Sequence, residues 1–279
     1  MGMENIVHEI NLPDHCNQVA LCGGPYNNFS AAEKFLVDTK DISQRFCLGD
    51  MGGFGPHPDR TIALMRDANV NCVQGNYDDS VGNGEVDCGC GYVDPLDRKF
   101  AQISFDYTFK NTSDANKAWL RELPKQIILH WRGKKILLCH GSPDEVNEFV
   151  WQSETDDARI GDWLTQYKVD GICATHSGIP WLHKVDNGFW LNVGVIGRPA
   201  HEGLPRVWYA TIALIGDTLE PKLVTMDYDP LPVVEAMRAE KLPEEFCQSL
   251  LNGTWTTCYN ILPPLEKKIT KRLGVELRS

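Results

Sequence analysis

The feature that most constrains the fold of this chain is an alternation of short apolar runs with longer amphipathic stretches between residues 18 and 74. The apolar runs cover 18–22, 45–48 and 70–74, and the amphipathic stretches cover 30–40 and 58–68. Both amphipathic stretches begin with helix signals, since Ser30 and Glu33 form a capping-box pattern and Pro58 with Asp59 suits a first helical turn. This β-α-β-α-β rhythm predicts parallel strands in an α/β fold.

The rest of the sequence predicts a second β layer and a helical C-terminal extension. Residues 75–98 are rich in glycine and lack a period, so we expect a long irregular loop, which in a compact domain is usually functional. Local patterns predict helices at 113–123 and 155–167, strands at 127–131, 135–139 and 171–175, and four antiparallel strands at 181–187, 188–193, 206–216 and 221–228. Helical signals dominate from Leu231 onwards, so we divide the chain into a main domain, 1–230, and a helical extension, 231–279.

Composition excludes several classes of function. The 279 residues carry 27 Lys and Arg against 38 Asp and Glu, a net charge of −11, and no basic run. This charge argues against binding to nucleic-acid polymers or to anionic membranes. No apolar run reaches the roughly 18–20 residues that a membrane-spanning helix needs, and the first 15 residues lack an export signal. We therefore expect a cytoplasmic protein, and the sequence leaves its oligomeric state open.

The ten cysteines are too few for a disulfide scaffold in a chain of this length, so we expect reduced thiols. Only Cys88 and Cys90, separated by one glycine, have a metal-like local spacing. A single pair without a second one is a weak zinc signal. We interpret these residues as part of a turn-rich surface segment.

Four potential metal ligands each follow a short apolar run by one or two residues: Asp50, Asn76, His140 and His176. Ligands bind at the carboxyl edge of strands in open α/β sheets, so we expect these side chains to meet at one such edge. A single histidine at a strand end is more often structural, but four convergent ligand types favour a metal site. Two imidazoles, one carboxylate and one amide oxygen suit a divalent Mn, Fe or Zn ion.

These residues carry a resemblance to the calcineurin-like metallophosphoesterase superfamily, whose motifs run D-x-H, G-D, G-N-x-D, G-H and G-H-T-H. Gly49-Asp50 matches the second motif, residues 75–78 match the third and His140-Gly141 matches the fourth, while residues 192–199 resemble a later family segment. The matches span residues 19–226. The resemblance implies a four-layer αββα sandwich, in which two sheets are flanked by helices, with a two-metal centre that hydrolyses phosphate esters.

This sequence departs from the family pattern at the ligands of one metal. Gly24 and Tyr26 stand where the aspartate and histidine of D-x-H should be. With Pro180 as the anchor, His176 matches the first histidine of G-H-T-H and Gly178 replaces the second, although a slip of the alignment would reverse this. In the family the lost residues serve one metal and the retained residues serve the other. We therefore expect a single ion bound by the four retained ligands.

The resemblance also suggests roles for residues around the metal. We expect catalytic contributions from Tyr26, His57 and Tyr77, and substrate contacts from Asn28, Asp78 and Arg198. Tyr26 should face the vacated metal position, where it either donates a hydrogen bond to an anionic oxygen or fills the space. Tyr77 replaces a histidine that protonates the leaving group in many relatives, but a phenol with a pKa near 10 is a poor acid for that task.

The leading hypothesis from the sequence is hydrolysis of a small phosphate monoester or diester by water activated at one divalent ion. Two alternatives stay open because a fold does not determine a function. One is a degenerate protein that binds a metal or a phosphorylated ligand without turnover. The other is different mononuclear metal chemistry on a substrate without phosphate.

Overall fold

The structure, a computed structural model, describes residues 7–268. Its strands are β1 (Val7–Asn11), β2 (Gln18–Cys22), β3 (Gln44–Cys47), β4 (Asn71–Cys72), β5 (Gln126–Trp131), β6 (Lys134–Leu138), β7 (Gly171–Ala174), β8 (Trp181–Val185), β9 (Gly188–Asn192), β10 (Val207–Ile215) and β11 (Thr218–Met226). Its helices are α1 (Phe29–Asp38), α2 (Pro58–Asp67), α3 (Asn76–Asn83), α4 (Pro95–Lys110), α5 (Asp114–Arg121), α6 (Asp157–Tyr167), α7 (Leu231–Ala239), α8 (Glu244–Asn252) and α9 (Pro264–Lys268).

The strands form two mixed sheets. The first sheet has the order β1-β5-β6-β7-β9-β8, and the second has the order β11-β10-β2-β3-β4. The predicted parallel strands are confirmed, since β2 pairs with β3 and β3 pairs with β4 in parallel register. The β5–β6 hairpin turns at Arg132 and Gly133, which both have positive φ, as two-residue turns that follow the strand twist require.

An apolar core fills the space between the two sheets and joins Leu21 and Phe46 of the second sheet to Leu129 of the first. The outer face of the second sheet packs on α1 and α2, where Phe35 is fully buried, and the outer face of the first sheet packs on α6 through Trp163. Each such buried side chain contributes roughly 1.5–3 kcal/mol of hydrophobic stabilisation. The layers run helix, sheet, sheet, helix, which confirms the predicted αββα sandwich.

Two local predictions from the sequence are wrong. The segment 75–98 is not one irregular loop, because α3 begins at Asn76 and α4 begins at Pro95. The side chain of Asp94 accepts hydrogen bonds from the first turn of α4, a helix-start signal that the glycines before it obscured. The four antiparallel strands do not form a layer of their own either. β8 and β9 extend the first sheet, and β10 and β11 extend the second, because alternation predicts a strand but not its sheet.

Within the described residues, α7, α8 and α9 follow residue 230, as the helical signals predicted. Phe246 of α8 anchors this region, with its ring 5.2 Å from that of Phe54 and 5.9 Å from that of Phe100 on α4. Residues 269–279, the end of the predicted helical extension, lie outside the described residues, and the domain boundary at residue 230 stays a prediction. A search of residues 7–268 finds no helix that combines the length and the apolar character needed to cross a membrane.

Candidate metal centre

Asp50, His140 and His176 lie together in the sandwich. His140 Nε2 lies 3.0 Å from His176 Nδ1 and 3.3 Å from Asp50 Oδ2. One ligand atom from each residue lies within 4.8 Å of the other two, and no side chain of the three is more than 7% exposed. A carboxylate and two imidazoles at this spacing form a candidate metal-binding triad.

The ligands come from both sheets. Asp50 and Asn76 follow β3 and β4 of the second sheet, whereas His140 and His176 follow β6 and β7 of the first. The expectation of one sheet edge is therefore corrected, because the carboxyl ends of strands in two stacked sheets meet at this place. Strand ends that converge in this way hold the ligands on rigid elements.

The loop that carries Asp50 is held by its backbone conformation and by a second carboxylate. Gly49 has a φ of +95°, and a Cβ there would lie 2.7 Å from the Gly75 Cα and 2.9 Å from His140 Nδ1, so only glycine fits. Asp78 accepts hydrogen bonds from the backbone N–H groups of Asp50 and Gly75, both at 2.8 Å. Asp78 thus ties together the two loops that carry Asp50 and Asn76.

Hydrogen bonds and charges prepare the triad for a cation. His140 Nδ1 donates to the carbonyl of Leu48 at 2.6 Å, which directs Nε2 towards the other ligands. Burial opposes ionisation of Asp50, but the charge and hydrogen bond of His140, the charge of His176 and the Tyr77 N–H together outweigh burial and lower the pKa of Asp50. Burial and then the charge of His140 lower the pKa of His176 to about 3. The ionised Asp50 and the neutral His176 are thus in the forms that bind metals. Burial opposes the charged form of His140, but Asp50 raises the pKa of His140, so a bound cation would take the place of its proton.

Asn76 supplies a fourth potential metal-ligating atom, its side-chain oxygen Oδ1. Its Nδ2 donates to the Cys88 carbonyl at 2.8 Å and to Cys90 Sγ at 3.2 Å. Its Oδ1 is buried and finds no hydrogen-bond partner among residues 7–268. A buried acceptor without a partner costs about 1–3 kcal/mol, which a cation ligated by this oxygen would offset. The donor set therefore fits a divalent first-row ion.

Aromatic rings fill the space on the other side of Asp50. Tyr26 has a φ of +49°, and its ring packs so closely on Gly24 that a Cβ there would lie 2.7 Å from Tyr26 Cζ. Burial and then the charge of Asp50 raise the pKa of the Tyr26 phenol. The hydroxyl is therefore close enough to Asp50 to interact with its charge. Trp255 packs on Gly178, where a Cβ would lie 3.3 Å from the indole ring.

A domain model for the calcineurin-like phosphoesterase superfamily matches residues 18–214, which is more than half of the chain. The chain belongs to this superfamily. An uncharacterised protein of Methanocaldococcus jannaschii is 27% identical to it over 251 residues, which are 85% of this chain and 98% of that protein.

Two solved structures share the fold. A hypothetical protein of Pyrococcus horikoshii has a TM-score of 0.71 at 20% identity, with 85% of this chain and 98% of that chain covered. A metallophosphoesterase of Sphaerobacter thermophilus has a TM-score of 0.67 at 19% identity, with coverages of 86% and 100%. Membership of the calcineurin-like phosphoesterase superfamily points to metal-dependent hydrolysis of phosphoesters, and the triad consists of residues that match the superfamily motifs.

Three predicted site residues, Tyr77, Asn28 and Asp78, use their polar groups in hydrogen bonds within the protein. The Tyr77 hydroxyl donates to Ser104 Oγ at 2.7 Å, and its ring lies in the core beneath the second sheet. Asn28 caps α1, and both oxygens of Asp78 accept backbone hydrogen bonds. His57 precedes α2, where burial and then the charge of Arg60 lower its pKa. Direct roles for these four residues in substrate binding or acid catalysis stay predictions.

Arg198 is the predicted substrate residue that does lie beside the site. It is only 4% exposed, and its guanidinium carbon lies 4.2 Å from the ring centroid of Trp255 and 4.8 Å from that of Phe54. Its Nη2 donates to the carbonyl of Thr257. Burial lowers the pKa of Arg198, and the phenol of Tyr26 is among the groups that oppose this shift. Arg198 and Tyr26 therefore form one cluster on the aromatic side of the centre.

The sequence analysis missed an aromatic cover over the histidines. The ring of Phe149 lies 4.3 Å from that of His176 and stacks on Trp151 at 5.4 Å, while Tyr92 lies 5.8 Å from Phe149. The signal available in the sequence was the pair of large aromatic residues at 149 and 151, outside any predicted element. This cover explains why a polar cluster of this kind is buried.

The structure also corrects the interpretation of the cysteines. Cys88 and Cys90 are joined by a disulfide, so the expectation of reduced thiols is wrong for this pair. The segment around them lies at the surface, as predicted, with Val86 and Val93 exposed, although the two cysteine side chains are buried. Gly89 between them has a φ of +61°, a turn conformation that favours glycine and brings the two side chains together. The other eight cysteines are free, as expected, and all eight are buried.

Proposed function

We propose that this protein hydrolyses a small phosphate monoester or diester with water activated at a single divalent ion. The observation that carries the proposal is the buried triad of Asp50, His140 and His176, with the unsatisfied Asn76 Oδ1 beside it, in a chain of the calcineurin-like phosphoesterase superfamily. When bound, a Mn, Fe or Zn ion supplies Lewis-acid polarisation of a phosphoryl oxygen and activation of water.

The residues of this chain provide the framework for that chemistry. Asp50 supplies the negative charge of the centre, and His140 directs its Nε2 towards the other ligands because its Nδ1 is bonded to the Leu48 carbonyl. Asn76 supplies a neutral oxygen, so the four ligands carry one formal negative charge. That low charge leaves the ion strongly electrophilic towards an anionic substrate.

Tyr26 and Arg198 take over charge compensation in this proposal. The Tyr26 hydroxyl lies in the field of Asp50, where it donates a hydrogen bond to an anionic oxygen of the substrate. Arg198 adds a buried positive charge behind the aromatic rings, where water screens it little. Both residues stand on the side where the resemblance expects the ligands of a second metal.

The test is turnover by metal-loaded protein. Protein loaded with Mn²⁺, Fe²⁺ or Zn²⁺ is assayed with p-nitrophenyl phosphate and bis-p-nitrophenyl phosphate, before and after chelation. We expect hydrolysis that chelation abolishes, one strongly bound ion per chain by elemental analysis, and loss of both in Asp50→Asn. Asp217→Asn, in the exposed β10–β11 turn, is the matched control. Two tightly bound ions, or no turnover of either ester, would refute the proposal.

A second candidate function is binding of a metal or phosphorylated ligand without turnover. The observation that favours it is closure of the site, since Asp50, Asn76, His140 and His176 are each at most 7% exposed under the aromatic cover. Metal-loaded protein that binds inorganic phosphate by calorimetry but hydrolyses neither ester would support this alternative. A small phosphorylated partner, the absence of nucleic-acid binding and a cytoplasmic location are predictions of both candidates.

A further inference from the structure

The Cys88–Cys90 disulfide lies directly against a proposed metal ligand. The Cys88 carbonyl and the Cys90 sulfur both accept hydrogen bonds from Asn76 Nδ2, at 2.8 Å and 3.2 Å. These two bonds use both hydrogens of the amide, so the amide can adopt only one orientation. In that orientation Oδ1 is the atom without a partner. The cysteine pair therefore determines which end of Asn76 is available to a cation.

The segment around the disulfide is also tied to the rest of the centre. The backbone of Cys90 lies close enough to His176, a second ligand, to oppose the lowering of its pKa. Asn147 Nδ2 donates to the Gly89 carbonyl at 2.9 Å, and the Gly89 N–H donates to Asp87 Oδ1 at 2.8 Å. A change in the separation of the two sulfurs therefore moves atoms that are bonded to Asn76 and lie near His176.

The outer face of the same segment borders solvent. A cavity of about 230 Å³ is lined by Cys88, Gly89 and Cys90, together with Tyr92 and Arg98. A small reductant fits a cavity of this volume. None of the eight free cysteines contributes to its lining, and all eight are buried. Cys88 and Cys90 thus combine access from solvent with contact to the proposed metal ligands.

We propose that Cys88 and Cys90 form a reversible redox site that sets the orientation of Asn76 and thereby the metal affinity of the centre. A dithiol reductant breaks the S–S bond by donating two electrons and two protons, and it leaves as its own disulfide while Cys88 and Cys90 become thiols. Re-oxidation by a disulfide oxidant reverses the exchange. The inference rests on the proposed metal site and adds redox regulation of its metal affinity.

Reduction weakens metal binding in this scheme. The two sulfurs separate from bonded to van der Waals distance, so Cys90 Sγ and the Cys88 carbonyl no longer hold the Asn76 amide from two sides. Loss of an outer hydrogen-bond partner of a metal ligand typically costs about 10- to 100-fold in affinity. We therefore expect the reduced protein to bind Mn²⁺ at least about tenfold more weakly than the disulfide form.

The experiment compares the two redox forms of the full chain. Protein is reduced with a phosphine, which takes its oxygen from water and becomes the phosphine oxide, and is then desalted under argon so that no reductant remains to bind metal. Thiol counting by alkylation under denaturing conditions should give eight labels in the oxidised form and ten in the reduced form. Mn²⁺ affinity is then measured for both forms by calorimetry.

Two variants test whether the redox response comes from the Cys88–Cys90 pair. Cys88→Ser keeps the sulfur of Cys90 and the carbonyl at position 88 but cannot form the disulfide, so it should bind Mn²⁺ like the reduced wild type, with no response to phosphine. Cys16→Ser, a buried free cysteine that precedes β2, should keep the full wild-type response. Equal affinities in the two wild-type forms, or tighter binding after reduction, would overturn the proposal.

A second readout needs no metal. The side-chain amide signals of Asn76, assigned in an NMR spectrum by their loss in Asn76→Asp, should shift on reduction of the wild type and stay fixed on treatment of Cys88→Ser. If Mn²⁺ binds to neither form, the proposed metal centre fails, and the Asn76 signals alone decide whether the pair controls this side chain. Unchanged Asn76 signals after confirmed reduction would show that the cysteine pair does not set the orientation of this side chain.

Discussion

The two sides of the metal centre are built in opposite ways. On one side, Asp50, His140 and His176 are buried polar groups whose orientation is set by hydrogen bonds from the backbone and from neighbouring side chains. On the other side, Gly24 and Gly178 leave room that the rings of Tyr26 and Trp255 fill. The comparison teaches that the same strand ends support either a charged cluster or a packed aromatic plug. The residue types decide which one forms.

The largest expected effect comes from breaking the polar side. His140→Ala should lower metal affinity by more than about 100-fold, since even outer partners of ligands are worth about 10- to 100-fold. Elemental analysis of the purified variant and circular dichroism would measure metal content and folding. His183→Ala, an exposed histidine on β8 that contacts Asp157, is the matched control and should keep its metal. Full metal content in His140→Ala would show that the centre lies elsewhere.

The aromatic side is expected to contribute stability rather than metal binding. Trp255 is 8% exposed, and its Nε1 donates to the Pro199 carbonyl at 2.7 Å. Trp255→Ala should therefore reduce the free energy of unfolding by about 3–5 kcal/mol, the usual cost of deleting a buried aromatic side chain. Urea denaturation measures this loss. Metal content at saturation should stay unchanged in the folded variant. A loss of bound metal would show that the aromatic side also contributes to metal binding.

Restoring the histidine that the family pattern expects should not restore a second metal. Gly178 has a φ of +70°, and Trp255 already occupies the space next to it. Gly178→His should therefore destabilise the protein by roughly 1–3 kcal/mol through overpacking. We expect elemental analysis to show no gain in the number of bound ions. A second strongly bound ion in this variant would contradict the conclusion that aromatic rings fill this side of the centre.

The smallest expected effect distinguishes the two roles of Tyr26. Tyr26→Phe keeps the ring that fills the space and removes only the hydroxyl. A neutral hydrogen bond in the transition state is worth about 1–1.4 kcal/mol, so kcat should fall about five- to tenfold if the hydroxyl meets the substrate. Steady-state kinetics with the better of the two nitrophenyl esters measures the change. Unaltered kcat with unaltered thermal stability would leave Tyr26 as a filler alone.

Much of the fold could be predicted from the sequence because it depends on local patterns. The alternation over residues 18–74 predicted β2, α1, β3 and α2, and all four are present with parallel strand pairing. The sheet that each later strand joins could not be predicted, since alternation reports a buried face and says nothing about the partner. α4 was missed although Asp94 and Pro95 form a helix start, because the glycine-rich stretch before them dominates that region.

The candidate site divides in the same way. Asp50, Asn76, His140 and His176 could be named because each follows a strand and each matches a motif, and three of them form the triad in the structure. The directions of Tyr77, Asn28 and Asp78 could not be predicted, since a motif gives an order of residues and not the hydrogen bonds that turn a side chain away. The metal-binding and catalytic roles stay predictions.

By itself, the sequence determined the strand–helix alternation, the strand ends that carry the ligands and the loss of residues at positions 24, 26 and 178. Those features depend on residue type and spacing, which act over a few residues. Only the tertiary structure decided that ligands from two sheets meet, that Trp255 packs on Gly178, and that the Cys88–Cys90 disulfide holds the amide of Asn76. These contacts join residues that are 12 to 90 positions apart in the chain, and they form only when packing brings the segments together.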